Sequence, residues 1–368
     1  MVVTKRRVVV LFGGRSAEHE ISCVSASSVV RALDPERYEV ISIGITREGT
    51  WHALPGGPPA LPAPGEGLPS VTASLGTAVV LSQEPGRQQL VGEDGSHTQV
   101  DVVIPLVHGP YGEDGTIQGL LELAGVPYVG AGVLGSALGM DKAAQKVMLE
   151  GAGAPVVPHA VVPEREWHDD AEGVEARAED LGFPVFTKPA NLGSSVGITK
   201  VREAGELAAG MDEAFRYDTK AIIEASIEGA REIECAVLGN DDPVASLPGE
   251  IVPSREFYDY RAKYVDQDSK LIIPADLPPE IVEEVQRLAV VAFRAIDCSG
   301  MARVDFFYRE PGKLIVNEVN TIPGFTSISM YPKLWEASGI AYPALLDRLV
   351  ELAIERNESR AKKETTPE

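Results

Sequence analysis

The sequence predicts an α/β protein that opens with a parallel-sheet unit and continues into smaller α+β units. Two patterns say so. Over about the first 130 residues, apolar runs of strand length alternate with amphipathic helical stretches, the pattern that builds parallel sheets with crossover helices. Beyond that, paired apolar runs joined by Gly-rich or polar turns point to hairpins. A chain of 368 residues is long enough for two to three domains.

The first element is "RRVVVLF", an apolar strand that ends in Gly13-Gly14 and gives way to a helix over "EISCVSASSVVRAL". Cations before an apolar run also resemble a signal peptide. The run here is only Val8 to Phe12 and no small-residue cleavage site follows it, so a strand is the better reading. "YEVISIGIT" is a second buried strand. The Pro/Gly-rich stretch from Ala53 to Ser70 reads as a surface excursion. "VDVVIPLVHGPYGEDGTIQGLLELAG" supplies another strand, a loop and a helix. Ligands of parallel sheets meet the carboxyl ends of the strands. "GGRSAEHE" and "HGPYGEDG" both fall there. Next, "VFTKPANLGSSVGITKV" reads as a hairpin with a Gly/Ser tip, and "REIECAVLG" opens a third block. Its later part, "GMARVDFFYREPGKLIVNEVNTIPG", holds two antiparallel apolar strands. The closing "ESRAKKETTPE" reads as a disordered charged tail, residues 359–368.

Composition narrows the function. The formal net charge of -22 argues against nucleic-acid binding, which needs a basic face. An anionic substrate would have to be held by a local cluster of cations. Cys23, Cys235 and Cys298 are odd in number and widely spaced, with no CxxC, so neither a disulfide framework nor a zinc site is expected. No run approaches the ~20 apolar residues of a spanning helix. No membrane insertion is expected, and the chain reads as cytoplasmic.

Three constellations carry chemistry. Gly193, Ser194, Ser195 and Gly197 form a loop rich in backbone N–H groups, preceded by Lys188 on a strand. Such a loop either cradles phosphates, with the lysine as a point charge, or is a plain hairpin turn. It is not a Walker A loop, since no Lys-Ser/Thr follows the glycines at the required spacing. Asp305, Glu318 and Asn320 lie on two neighbouring strands. Residues two apart share a strand face, so Arg303 joins Asp305 and Glu318 joins Asn320. This is either a hard oxygen-donor set for Mg²⁺ beside a guanidinium, or a solvated polar face. Glu18 and His108 sit at strand ends. Glu224 and Glu232 flank a crossing between two strands.

In combination these segments are distinctive. "LFGGRSAEHEISC", "VHGPYGEDGTIQG", Asp141-Lys142, "KPANLGSSVG", "ARVDFF" and "NEVNTIPGFTSIS" occur in the order seen in D-alanine–D-alanine ligases of the ATP-grasp superfamily. The resemblance runs from about Arg7 to about Leu352. It implies a substrate domain (residues 1–130), a central ATP-grasp subdomain (131–228) and a C-terminal ATP-grasp domain (229–358). ATP is expected between the last two. The reaction it implies activates one D-alanine as an acyl phosphate, which the amine of a second D-alanine attacks, for peptidoglycan synthesis.

The resemblance also implies roles. Glu18 matches the acid on the first D-alanine ammonium, and His108 the histidine near that substrate. Lys142 and Lys188 match lysines on the ATP phosphates, within a nucleotide site that includes Ser195. Ser194 matches the loop serine linked to Glu18 through a tyrosine, here Tyr264. Glu224, Ala225 and Ile227 match the adenine-side linker, and Glu232 the ribose carboxylate. Asp305, Glu318 and Asn320 match ligands of two Mg²⁺ ions, with Mn²⁺ an alternative. Arg303 and the backbone of Gly324 match an oxyanion-stabilising pair. Ser329, with Met330 beside it where many members have Leu, matches the site of the second substrate's carboxylate. The family is commonly dimeric.

"FYDYRAKY", from Phe257 to Tyr264, then reads as part of a lid that excludes water from an acyl phosphate. Lys263 is placed to reach the transferring phosphate or the second carboxylate. The Lys263-Tyr264 pair matches the dipeptide-forming type and argues against a D-alanine–D-lactate ligase. Another ATP-grasp carboxylate–amine ligase would lack the "GGRSAEHEIS" loop. A regulator that has lost catalysis would not keep Lys263, Arg303, Asp305, Glu318 and Asn320. A dinucleotide oxidoreductase would need a GxGxxG that the first turn lacks.

Overall fold

The computed structural model describes residues 5–60, 67–84, 86–252, 270–326 and 329–363. Three sheets organise the chain. The first contains β1 (Arg6–Gly13), β2 (Tyr38–Ile45), β3 (Trp51–Ala53), β4 (Thr77–Leu81), β5 (Gln89–Gly92), β6 (His97–Gln99) and β7 (Val102–Pro105), in the order β6-β5-β4-β3-β2-β1-β7. Only β2, β1 and β7 are parallel; β3 to β6 extend the sheet as antiparallel strands. The parallel unit expected from sequence is thus the core of a mixed sheet. Strands as short as β3 and β6, embedded among Pro, Gly and polar residues, give no periodic signal of their own.

β1 shows how its sequence is used on two faces. Val8, Val10 and Phe12 point one way, Val9 and Leu11 the other, and all five are buried. Helix α1 (His19–Ala32) covers the first face, and α2 (Thr116–Leu123) covers the second.

Helix α3 (Val133–Met140) leads into α4 (Lys142–Gly151). The second sheet follows, with β8 (His159–Pro163), β9 (Val185–Pro189), β10 (Thr199–Val201) and β11 (Lys220–Ala225), ordered β10-β9-β11-β8 and fully antiparallel. Helices α5 (Glu164–Asp169), α6 (Ala171–Leu181) and α7 (Leu207–Phe215) accompany it. Trp167, Val174, Ala178, Leu207 and Met211 pack on its apolar face. The β9–β10 hairpin expected around the Gly/Ser tip is present.

The third sheet holds β12 (Arg231–Gly239), β13 (Val244–Ala245), β14 (Gly249–Val252), β15 (Lys270–Ile272), β16 (Gly300–Arg309) and β17 (Lys313–Asn320). Its order is β15-β14-β12-β16-β17, with β13 beside β12. Helix α8 (Pro279–Ala295) packs on one face through Leu288, Ala292 and Phe293. The other face meets α9 (Met330–Ala337) and α10 (Tyr342–Ala361). That last core also contains Val8, Val10 and Phe12 of the first sheet, so one apolar layer joins the first and third sheets.

Helix α10 corrects the expectation of a disordered tail beginning at residue 359. It runs to Ala361, and Arg360 pairs with Glu122 while Arg356 bonds to the backbone oxygens of Tyr128 and Gly130. The guanidinium of Arg356 also stacks 4.4 Å from the Tyr128 ring. No helix among the described residues is long and apolar enough to cross a membrane.

All three cysteines are free and buried, and burial pushes each thiol up to about 12. The native protein is therefore expected to react with none of its thiols when mixed with an aromatic disulfide reagent at neutral pH. All three should titrate in guanidinium. Rapid native labelling would contradict this packing.

Candidate active site

Glu18 immediately precedes α1 without capping it through its side chain, and is 8% exposed. Ser194 of the β9–β10 tip donates its hydroxyl to Glu18 Oε1, across 176 residues of sequence. Gly109 and Gly193 make that approach possible. Gly109 has φ +76°, and a Cβ there would lie 2.9 Å from Glu18 Oε2; one on Gly193 would lie 3.0 Å away. His108 is buried behind this loop, with its Nε2 3.3 Å from Ser25 Oγ. Burial pulls its ring below the usual imidazole range, against the pull of Glu18, so it is neutral at pH 7. Ser16 fixes the same loop by donating to His108 O at 2.6 Å.

The Gly/Ser tip is unusual in its backbone. Ser194 and Ser195 both adopt left-handed conformations, at φ 52° and 59°. Side chains rarely tolerate this, and such strain concentrates at ligand-binding loops. Lys142 opens α4, which Asp141 caps by accepting from the N–H groups of Ala143 and Ala144 at 3.0 Å each. Its Nζ donates to Leu192 O at 2.6 Å and stands 3.9 Å from Glu318 Oε2. One lysine thus touches both the candidate phosphate loop and the candidate metal face. Lys188 lies on β9 and contacts Glu224 Oε2 of β11 at 2.5 Å.

The polar face of the third sheet forms as strand geometry requires. Asp305 is opposite Glu318 and Arg303 opposite Asn320 in the β16/β17 ladder. A register shift after Asp305 interrupts the ladder there, a bulge of the kind that re-aims side chains. Arg303 donates twice to Asp305, both at 2.7 Å, and Asn320 Nδ2 donates to Asp305 at 3.0 Å. Glu234 of β12 approaches Arg303 Nε at 3.1 Å. Burial works against the guanidinium charge, but Asp305 and Glu234 outweigh it and hold Arg303 firmly protonated. Two carboxylates and an amide oxygen suit a hard cation that completes its shell with phosphate oxygens and water. Among the described residues, no three His, Cys, Asp or Glu form a metal cluster by themselves. A set of two carboxylates and one amide leaves coordination positions that phosphate oxygens and water can fill.

The remaining expected residues divide. Ser329 precedes α9 and accepts from Thr326 N at 3.0 Å, and a Cβ on Gly324 would lie 2.9 Å from its Oγ. Met330 is 5% exposed with its side chain in the core shared by the first and third sheets, which leaves its backbone to serve a ligand. Ala225 and Ile227 lie at the end of β11 and in the turn after it, and Glu232 lies on β12. Glu224 precedes Ala225 on β11, is 3% exposed and meets Lys146 and Lys188 through its carboxylate. Lys263 and Tyr264, and with them the lid, lie outside the described residues.

Sequence reading missed four residues. Glu113 sits beside Glu18 and accepts from Gly109 N at 2.8 Å; burial, then Glu18, pushes its carboxyl up to about 8. His19 bonds Gly14 O at 2.7 Å and Val71 N at 2.9 Å, pinning the end of the Pro/Gly excursion against the first turn. Lys146 and Glu234 complete buried charge pairs. The "GEDG" run flagged Glu113 in part; the others carry no local signal.

Along nearly its whole length the chain is similar to known proteins. Family profiles described as D-ala D-ala ligase N-terminus and C-terminus match residues 7–131 and 148–351. The D-alanine–D-alanine ligase of Acetivibrio thermocellus is 50% identical over 365 residues, covering 96% of both chains. That of Paenarthrobacter aurescens is 52% identical over 367 residues, covering 96% of this chain and 97% of its own. Among solved structures, the D-alanine-D-alanine ligase from Coxiella burnetii superposes with a TM-score of 0.85 at 40% identity, covering 97% of this chain and 96% of that one. The VanG D-Ala:D-Ser ligase from Enterococcus faecalis gives 0.83 at 37% identity, covering 95% and 100%. With both its halves matched and its fold shared along nearly the whole length, the chain belongs to the D-alanine–D-alanine ligase family of ATP-grasp enzymes.

Proposed function

We propose that this chain joins two D-alanines into D-alanyl-D-alanine at the expense of ATP, supplying a precursor of peptidoglycan. The observation that carries the reading is the contact between Glu18 and Ser194. An ammonium held at Glu18 brings the carboxylate of the same amino acid to the edge of the Gly/Ser loop. A γ-phosphate cradled by that loop then lies within reach of this carboxylate. Positioning of this kind supplies most of the catalysis in phosphoryl transfer.

In this reading Lys142, Lys188 and the backbone around Ser195 hold the phosphates, and Ala225 and Ile227 offer backbone groups to the base. Glu232 faces the ribose. Asp305, Glu318 and Asn320 would hold Mg²⁺, which when bound neutralises the phosphates for in-line transfer. The first carboxylate attacks the γ-phosphate and ADP leaves. The amine of the second D-alanine, freed of its ammonium proton, attacks the acyl carbon, and a negatively charged oxygen develops between Arg303 and the backbone of Gly324. The tetrahedral intermediate collapses, inorganic phosphate leaves and the nitrogen loses a further proton to give the amide. Ser329 and the N–H of Met330 receive the second carboxylate at the start of α9. His108 and Glu113 shape the first site. Lys263 and Tyr264 close it by sequence resemblance. ATP as co-substrate places the reaction in the cytoplasm.

Our division at residues 130 and 228 is supported by the sheets: β1–β7, β8–β11 and β12–β17 each fall within one segment. We also read the enzyme as a homodimer. Leu123 of α2 and Leu134 of α3 are 70% and 56% exposed, and these two helices pack together. Large exposed apolar side chains grouped in this way mark contact surfaces.

Arg303→Ala is expected to leave ATP binding nearly intact while lowering ligation by about 10²–10³-fold, the usual effect of removing an oxyanion donor. Retained turnover, read by phosphate release and product mass, would sink the assigned role. With D-alanine and D-lactate competing at pH 7, mass spectrometry should find the dipeptide as the dominant product. A dominant depsipeptide would overturn the acceptor assignment. Light scattering after size exclusion should give the dimer mass, and Leu123→Asp should shift it toward the monomer; a wild-type monomer refutes the dimer.

A further inference from the structure

Helix α4 carries two lysines one turn apart, Lys142 and Lys146, and the fold treats them differently. Residues four apart lie on the same helix face. Lys142 reaches the candidate phosphate loop. Lys146 is 1% exposed, with its Nζ 2.9 Å from Glu224 Oε1 and 3.4 Å from Asn317 O. The other oxygen of Glu224 takes Lys188. One buried carboxylate therefore holds two buried or nearly buried ammonium groups from α4 and β9.

The helix that presents Lys146 is fixed by its neighbour. Gln145 donates to Gly139 O at 2.8 Å and Val319 O at 3.0 Å, and accepts from Val319 N at 2.9 Å. These bonds lock α4 onto β17, immediately beside Glu318. The Lys146 side chain is almost wholly enclosed, at 1% exposed, whereas that of Lys188 keeps 13% of its surface open. Burial alone raises the pKa of Glu224, but Lys188 and then Lys146 overcome it and bring the carboxyl down to about 2. It is ionised under all working conditions.

A single ammonium is enough to neutralise Glu224. A second is costly to bury and needs a reason. The reason emerges when a polyphosphate enters. If Lys188 turns from Glu224 to a phosphate, a carboxylate with no other partner is left charged and dry. That prospect would tie Lys188 to Glu224 and set it against the incoming nucleotide. With Lys146 in place, Glu224 stays neutralised throughout.

We infer that Lys146 is a positioning residue for ATP: it holds Glu224 so that Lys188 is free to exchange that carboxylate for a phosphate. The inference rests on the reading that Lys188 contacts ATP. Removing Lys146 makes the phosphate-ready state of Lys188 rarer, and apparent affinity falls by the same fraction.

The test is steady-state kinetics on the full-length enzyme, with ATP and D-alanine varied separately. Lys146→Met is expected to raise the KM for ATP about tenfold or more while leaving that for D-alanine within about twofold, a split that a general packing defect does not produce. Lys146→Arg should recover most of the loss. Adding Glu224→Gln to Lys146→Met removes the carboxylate that traps Lys188 and should bring the KM for ATP back toward wild type. An unchanged KM for ATP in Lys146→Met, or a double variant worse than the single, overturns the inference. If Lys146→Met does not fold, the double variant decides: binding of ATP within about threefold of wild type supports the exchange, and a loss of tenfold or more refutes it. Lys188→Met separates the premise from the inference. If its KM for ATP is unchanged, Lys188 does not contact the nucleotide. If that KM rises while Lys146→Met is silent, only the role of Lys146 fails.

Discussion

Charge removed from water must be paired, and in this enzyme the pairing ties the second sheet to the other two. The partners around the cleft come from different parts of the chain. Glu18 belongs to the first sheet's helix and meets a serine of the second sheet. Lys142 stands between the Gly/Ser loop and Glu318 of the third. Lys146, Lys188 and Glu224 bind α4 to the second sheet, while Gln145 binds the same helix to the third. Apolar packing joins the first and third sheets through a continuous core. The second has its own core, so polar contacts do much of the work of setting its position.

This division of labour suits the chemistry. A ligase that passes through an acyl phosphate must bring a carboxylate, a triphosphate and an amine together and keep water out. Groups attached to a rigid double layer hold the third sheet's polar face steady. Arg303 is clamped by Asp305 and Glu234, so its guanidinium cannot wander. The Gly/Ser tip is a hairpin end with two left-handed serines, anchored where it meets Glu18. The rigid side presents charge, and the loop side approaches it.

Much of this was legible in the sequence because strand period and motif order carry it. Arg303, Asp305, Glu318 and Asn320 were placed together by the rule that residues two apart share a strand face, and the ladder pairs them as that rule requires. Glu18 and Ser194 are far apart in sequence, and only the resemblance brought them together. What stayed hidden was settled by tertiary burial. Lys146 looks like any solvated helix lysine until Glu224 is found beneath it. His19 reads as a loop residue until Val71 returns to it. The motif places Met330 beside Ser329, and only the fold shows that its side chain lies in the core. The antiparallel strands β3 to β6 are obscured by brevity, and charge pattern alone does not show that the helix continues past residue 359, where Glu122 awaits Arg360.

The shared core has a consequence for how the chain is made. Val8, Val10 and Phe12 are translated well before part of the surface that covers them, Leu345 to Val350 of α10. The first sheet therefore emerges with an apolar face it cannot finish covering by itself. Domains made early usually fold as they appear, and exposed apolar surface held open through synthesis invites aggregation. Here the apolar face of the first sheet is fully covered only when α10 docks, so that face waits on a helix far along the chain.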